Sequence, residues 1–490
     1  MKKKLLMLVS ICALVLITIL SLTACNKYKW NKIPGGDASA ASISNGGYVV
    51  EQGNYVYFIN GYVGDVTENA WGDAYKQSIM RCNKNTDGTY DLSTATVVVP
   101  KSIYYNSTKA GFAIFGNFIY YATPNVDKDS TGTASTTHTD FMRTSLDGQV
   151  TQLITTRNSR STEFLFTPTR ILFYESNTIS YVDFSGMKTN KNITDGKGAT
   201  SGTLAEKVST YFWGYDADYT AGQGASIADY VFFTQTLSNS YEHYNELKCI
   251  RYDGTGETVL ATYSTWLTDA EIAAGYSNYP EKVFTFSLKT AKVDSDNQIT
   301  LVYSKSITMG ADSTATVVGT FMNKVTLAGG FDKATEKKLS ATDISELYSL
   351  GYDNGVIAVV DSNMKHLNVV NGTDVETSLV VGKSATYTTS FTLDNKIYVY
   401  YTDSDNNAIY RVCVNPADNE KKIFAESMHT EAYVFDFVGT RLFFIAESDY
   451  DYIHYVDIAS YNGEVLKSTF VGKRTSEDQE AYDKAQEENA

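Results

Sequence analysis

Cys25 closes the run Leu22-Thr23-Ala24-Cys25, and its thiol is the side chain in this 490-residue sequence whose setting most directly implies covalent chemistry. A thiolate is the common side-chain nucleophile suited to taking up an alkyl group as a thioether, and small residues before it let a peptidase reach the backbone. The other reactive residue types form no working set. The histidines, His138, His243, His366, His429 and His454, are scattered and make no HExxH pair that would hold zinc. No G-x-S-x-G elbow presents a nucleophilic serine. Glycoside cleavage needs two well-spaced carboxylates, and a chain with 56 acidic residues singles out no pair. Asn83-x-Asn85-x-Asp87-Gly88 copies the start of an EF-hand loop, but the twelfth position is Thr94 where a bidentate Glu is required, so the segment reads as a hairpin turn. Asp127-x-Asp129 and Asp403-x-Asp405-Asn406 read as solvated turns for the same reason. The sequence therefore specifies no catalytic, cofactor-binding or metal-binding residue, and one site of covalent attachment, Cys25.

The residues before Cys25 have the layout of an export signal: Lys2, Lys3 and Lys4, an almost wholly apolar run from Leu5 to Leu20, then small residues. With Cys25 they resemble the lipobox of bacterial lipoproteins. That resemblance implies that residues 1–24 are a signal peptide and that Cys25 becomes the first mature residue. The cysteine then carries acyl chains of the palmitate kind, and the body is anchored to the bilayer on the extracytoplasmic face of a bacterial membrane, at the cell surface. The competing reading, an uncleaved helix long enough to span a bilayer from Leu5 to Ala24, leaves the small-residue run ending in cysteine to coincidence. Residues 25–46 read as a lipidated stem or linker, with Lys27, Lys29, Lys32, Tyr28 and Trp30 at headgroup level.

Removing the three leader lysines takes the formal charge from −15 to −18. So acidic a body excludes nucleic acid, which rewards clustered Lys and Arg, and broad contact with anionic lipid. Cys12 lies in the leader. Cys82, Cys249 and Cys413 are separated by more than 160 residues each, without a CxxC, and are expected as small buried strand residues rather than as disulfides or a zinc site.

What must position any site is a repeat. An aromatic and β-branched core recurs at Val56-Tyr57-Phe58, Ile119-Tyr120-Tyr121, Ile171 to Tyr174, Val231-Phe232-Phe233, Ile299 to Tyr303, Val356 to Val360, Ile397 to Tyr401 and Leu442 to Ile445, about every 55 residues. A short strand and a Gly/Asn/Asp turn precede each core; a third strand, often ending in Asp-Gly as at Asp87-Gly88, Asp147-Gly148 and Asp253-Gly254, and a fourth follow. Four-stranded units of this kind bury both sheet faces only by stacking radially. The expected fold is all-β: one β-propeller over 47–473 with eight four-stranded blades, or seven because the unit around Asn297 to Leu327 is the least regular. Residues 474–490 are expected to be an acidic tail, helical or disordered.

Tyr400-Tyr401-Thr402-Asp403 and the recurring rhythm of Ile-Tyr-Tyr, a third strand ending in Arg as in Phe141-Met142-Arg143 and Ile409-Tyr410-Arg411, and Asp-Gly resemble the YWTD propellers of the low-density-lipoprotein-receptor-related family and the bacterial lipoproteins likened to them. The resemblance implies architecture rather than activity, and it departs from the family in retaining Thr-Asp in one unit and in exceeding the usual six blades. Insertions fall at Asp195 to Gly224, at Thr268-Asp269-Ala270-Glu271, which reads as a helix capping box before Ile272 to Tyr276, and at Thr342 to Leu350, read as a helical turn. The sequence reading of function is a non-catalytic binding or scaffolding module for an extracellular protein, peptide or glycan, engaged on a propeller loop face. The alternative is a carbohydrate-active hydrolase or lyase with paired carboxylates near the channel.

Overall fold

The computed structural model describes residues 33, 42–43, 47–61, 76–103, 111–124, 138–158, 163–189, 196–213, 230–238, 243–262, 282–293, 298–309, 315–326, 330–331, 336–340, 347–353, 356–361, 366–371, 374–375, 385–394, 396–403, 407–413, 422–428 and 434–488. The leader, Cys25, the Thr268 to Tyr276 segment, Asp127, Asp129, Asp405, Asn406 and His429 lie outside them.

The described strands form eight antiparallel sheets in chain order, six of four strands and two of five. They span 49–99, 112–157, 163–205, 208–261, 282–340, 347–375, 385–427 and 435–471, and are called blades 1 to 8. Each recurrent core supplies the second strand of one blade, from Tyr55–Ile59 in blade 1 to Arg441–Ile445 in blade 8. First strands of neighbouring blades touch: Val208–Trp213 with Lys282–Val293, and so on through Leu347–Asp353, Ala385–Leu393 and Phe435–Val438. Phe435–Val438 then meets Val49–Gln52 of blade 1, so the ring closes on itself as a β-propeller. No strand is exchanged at the closure among the described residues; blade 1 and blade 8 are each built from consecutive strands.

Packing follows from alternation. The second strand of a blade has sheet neighbours on both sides and blades on both faces, so its centre is apolar: Val56, Tyr57 and Phe58, Ile171, Leu172 and Phe173, and Leu442, Phe443 and Phe444 are all buried. One apolar cluster runs unbroken through Phe58, Phe112, Tyr400 and Phe444, joining blades 1, 2, 7 and 8 across the closure. A second fills the seam of blades 2 and 3 around Phe141 and Phe173, and a third the seam of blades 3 and 4 around Val208 and Phe233. Each such aromatic or aliphatic side chain contributes roughly 1.5–3 kcal/mol by leaving water.

The turns on one side share a device. At the end of the third strand an Asp carboxylate accepts the amide two residues on: Asp87 from Thr89 at 2.9 Å, Asp147 from Gln149 at 3.1 Å, Asp183 from Ser185 at 2.9 Å and Asp253 from Thr255 at 2.8 Å. Gly88 and Gly254 take the following positive φ, +83° and +84°, which an L side chain resists. The Asn83 to Thr94 segment is this hairpin, as expected.

The fold differs from the sequence reading at Leu347 to Leu350 and at Ser42–Ile43. Leu347 to Leu350 are strand, not a helical turn, because pairing to Val359 and Asp361 satisfies their backbone in the sheet. Blade 5, the unit read as least regular, is irregular in its fourth position, where Gly330–Phe331 and Lys337–Ser340 both pair with the 12-residue third strand Ala315–Thr326. Ser42–Ile43, within the span read as stem, pairs with Ala113 and Ile114 on the inner edge of blade 2. The acidic tail forms helix α1, Ser476–Glu488. Thr475 caps it, its hydroxyl accepting the Asp478 amide at 3.1 Å.

Candidate functional site: the loop face

Strand direction sorts the connections into two faces. The links within the first and last hairpins lie together on one face, most of them short, with 184–199, 214–229 and 458–468 the long ones; in blade 2 the Leu146 amide donates to the Asn117 carbonyl at 2.9 Å, joining the two turns. This is the tight-turn face. The opposite ends carry the links at 60–78, 100–111, 125–138, 262–281 and 376–384. This is the loop face, and its connections range from two residues to twenty.

On the loop face the best-defined feature lies where blade 3 meets blade 4. Ser176 and Asn177 form a two-residue turn with φ of +49° and +59°, and the connection Glu206-Lys207 is equally tight, with Lys207 at +56°. Both are positive-φ positions held by non-glycine residues, which local contacts must stabilise. The Val208 amide donates to the Asn177 carbonyl at 2.9 Å, and Gln235 Nε2 to the Glu206 carbonyl at 2.8 Å. Between the turns lies an open groove of ≈ 380 Å³ lined by Ser176, Asn177, Thr178, Glu206, Lys207 and Ser209. Beside it, the Tyr174 and Tyr211 rings pack at 4.2 Å with a tilt of 36°, and Tyr211 meets Trp213 edge-on at 4.8 Å. The Tyr174 hydroxyl donates towards Asn177 Oδ1 at 3.3 Å, and its pKa is raised by partial burial and by the charge of Glu163. Hydroxyls, an amide, one carboxylate and one ammonium beside half-buried rings can orient a polar ligand with an apolar face. Glu206, Lys207 and Ser209 of its lining fall within the Asp195 to Gly224 insertion singled out from sequence, and Ser176, Asn177 and Thr178 do not; Asp195 and residues 214–224 lie outside the described residues.

A second polar cluster was not foreseen. In blade 8, His454 Nε2 lies 2.9 Å from Asp449 Oδ2 and Nδ1 lies 2.9 Å from Ser468 Oγ, an arrangement of the residue types used by serine hydrolases. The histidine and carboxylate are buried. Arg474 pairs with the same Asp449 oxygen, and its guanidinium packs 4.0 Å from the Phe470 and Tyr482 ring centres. The carboxylate is thus neutralised by an arginine rather than held for an imidazolium, and the serine and carboxylate approach opposite ring nitrogens from those in a hydrolase. The cluster ties α1 to blade 8. Its residues are spread over Asp449 to Arg474 without a fixed motif, so spacing gave no signal.

Cys82, Cys249 and Cys413 are free and buried, as the sequence implied. Burial pushes the Cys82 and Cys249 thiols up to about 12, which leaves them inert. Among the described residues no group of three or more His, Cys, Asp or Glu side chains could hold a metal ion, and no helix is long and apolar enough to cross a membrane.

No protein-family model matches the chain, and no curated protein matches it. Among solved structures it is similar to Sqt1 of Saccharomyces cerevisiae, at 9% identity over 87% of this chain and 95% of that one, with a TM-score of 0.39. It is also similar to a puromycin hydrolase, at 11% identity over 91% of this chain and 56% of that one, TM-score 0.39. A chain of a nidogen/laminin complex matches at 11% identity over 71% of this chain and 91% of that one, TM-score 0.26. Likenesses this loose carry no argument about function; the propeller assignment rests on the chain's own strand order and ring closure.

Proposed function

We propose that this chain is a lipoprotein anchored through Cys25 to the extracytoplasmic face of a bacterial membrane, and that its propeller is a non-catalytic binding or scaffolding module for a protein, peptide or glycan. The observation that carries the reading is the polar groove of blades 3 and 4, which lies on the face that collects five of the connections of nine residues or more, against three on the other. A rigid ring that carries variable loops is the arrangement on which binding sites are grafted.

Two measurements test it. Metabolic labelling with an alkyne palmitate analogue is expected to mark the wild-type chain and not Cys25→Ala; equal labelling sinks the anchor. A photocrosslinking residue at Glu206 is expected to capture a recurring surface partner that one at Asn117, on the tight-turn face, does not. Hydrolysis or lysis of a glycan panel by the purified chain would replace the binding module with the enzyme.

A further inference from the structure

We infer that the propeller stands on its membrane with the tight-turn face of blade 2 nearest the bilayer and the loop face turned away from it. The inference rests on lipidation of Cys25 and adds an orientation which that reading does not contain. Its starting point is Ile33, which is 6% exposed and whose amide donates to the Asp147 carbonyl at 3.2 Å. Asp147 belongs to the turn between the third and fourth strands of blade 2, on the tight-turn face. The chain then runs to Ser42–Ile43, which pairs antiparallel with Phe112–Phe115. Because Phe112–Phe115 runs towards the tight turns, Ser42–Ile43 runs away from them. Ile33 is therefore tied to the tight-turn side, and Ser42–Ile43 leads away from that side along the inner edge of blade 2.

Reach fixes the consequence. Cys25 precedes Ile33 by eight residues, which span at most about 28 Å fully extended. To come from a bilayer on the loop side, the stem would have to pass the length of a blade edge such as the seven-residue strand Thr151–Arg157, about 23 Å, together with the loops beyond it. Such a path exhausts the stem. Charge sets the stand-off. The turn carboxylates of Asp87, Asp183 and Asp253 are held ionised by their own turn hydrogen bonds and repel anionic lipid, whereas Lys27, Lys29 and Lys32 of the stem attract it. The ring is accordingly held above the headgroups on its stem, with the groove of blades 3 and 4 presented outward.

The test uses the lipid-anchored chain purified from cell membranes and reconstituted in phosphatidylcholine/phosphatidylglycerol vesicles containing a headgroup-nitroxide lipid. A thiol-reactive fluorophore is placed at Asn117→Cys on the tight-turn face or at Glu206→Cys on the loop face; the unsubstituted chain, with its buried thiols, sets the background. Quenching at position 117 is expected to exceed that at 206 several-fold, and about twenty Gly/Ser residues inserted after Trp30 are expected to erase the difference. Equal or greater quenching at 206 overturns the orientation while leaving the anchor intact. Vesicle binding that survives Cys25→Ala, or that the wild-type chain lacks, overturns the anchor and the orientation with it.

Discussion

Arg441 in blade 8 donates from Nη2 to the carbonyl of Gly88 in blade 1, 2.7 Å away and 353 positions distant in sequence. Arg170 makes the same contact inside the ring, donating from Nη1 to the Tyr252 carbonyl of blade 4 at 2.9 Å. Both arginines follow a threonine and begin a second strand, in Thr169-Arg170-Ile171-Leu172-Phe173 and Thr440-Arg441-Leu442-Phe443-Phe444. The joint between the ends of the chain is thus the joint used between ordinary neighbours, and it stands in for an exchanged strand. Arg441 also pairs with Glu51 at 2.9 Å.

Arg441→Ala is therefore expected to cost about 2–4 kcal/mol, since it removes charge-assisted bonds and leaves the largely buried Glu51 with one cation fewer. Arg441→Lys, which keeps the charge and loses the forked geometry, is expected to fall between. Urea unfolding reads both; an Arg441→Ala midpoint equal to wild type would refute a closure role for this contact.

Gly88 is predicted to be the less replaceable of two turn glycines. A Cβ there would lie 3.2 Å from the Arg441 guanidinium in addition to straining a φ of +83°, whereas Gly116, at +56°, faces open space. Gly88→Ala should lower stability by about 1–3 kcal/mol and Gly116→Ala by about 1 kcal/mol. The same unfolding measurement compares them, and a greater loss at Gly116 would show that the Arg441 contact gives way freely.

The parts legible in sequence were those dictated by local chemistry. The eight cores, the Asp-Gly turns and the buried cysteines each follow from a short pattern that needs no distant partner, as in Asp87-Gly88-Thr89 capping its own hairpin. Pairing over long separations left no such trace. Nothing in the order of residues ties Asn60 to Lys473, which exchange two hydrogen bonds of 3.0 and 2.8 Å across the closure. Nothing near Leu347 announces that a strand partner will override a helical reading. The blade 3 and 4 groove was only half visible, because its composition marked an insertion while its lining depends on two turns 30 residues apart.

Lys76 links the closure to pH. Its ammonium lies 2.9 Å from Asp451 and 3.0 Å from Asp478 of α1. Burial opposes its charge, but the hydrogen bonds and charges of both carboxylates outweigh that and raise its pKa above 10.5. Asp478 also pays for partial burial, yet bonds from Lys76, Thr475 and Tyr452 lower its pKa below 3.8. A raised lysine contributes its stability below its unfolded pKa and loses it as pH climbs through the folded one; a lowered carboxyl does the reverse. The Lys76–Asp478 coupling should hold on the plateau between these values, begin to fade as pH falls below 3.8 or rises above 10.5, and vanish once the shifted folded-state value on either side has been passed. A double-mutant cycle of Lys76→Met and Asp478→Asn is expected to give about 0.5–1 kcal/mol at pH 7, discounted for their partial exposure. Coupling unchanged at pH 3 would contradict the assignment.

The three thiols of the propeller body supply a check on the core. With Cys82 and Cys249 pushed up to about 12 and all three side chains buried, the native protein should give almost no reaction with a disulfide reagent at pH 8 and three equivalents once unfolded in guanidinium. Rapid modification of the folded chain would mean that the blades open locally far more often than their packing implies.

Ser468 is where a binding module and an enzyme part most sharply. A hydrolase would use its serine as a nucleophile activated by His454, and a fluorophosphonate probe would then label it. The geometry predicts no labelling, because Asp449 is committed to Arg474 and because the imidazole, buried under Phe470 at a ring separation of 5.9 Å, has no route to relay a proton to a substrate. Ser468→Ala should instead act on stability alone, costing about 1 kcal/mol for one hydrogen bond to a buried ring nitrogen. His454→Ala should cost more, about 2–3 kcal/mol, since it deprives both Asp449 and Ser468 of a partner and leaves space beside Phe470. Covalent capture of Ser468 by the probe, abolished in His454→Ala, would turn this cluster from a latch on α1 into a catalytic site and displace the binding reading.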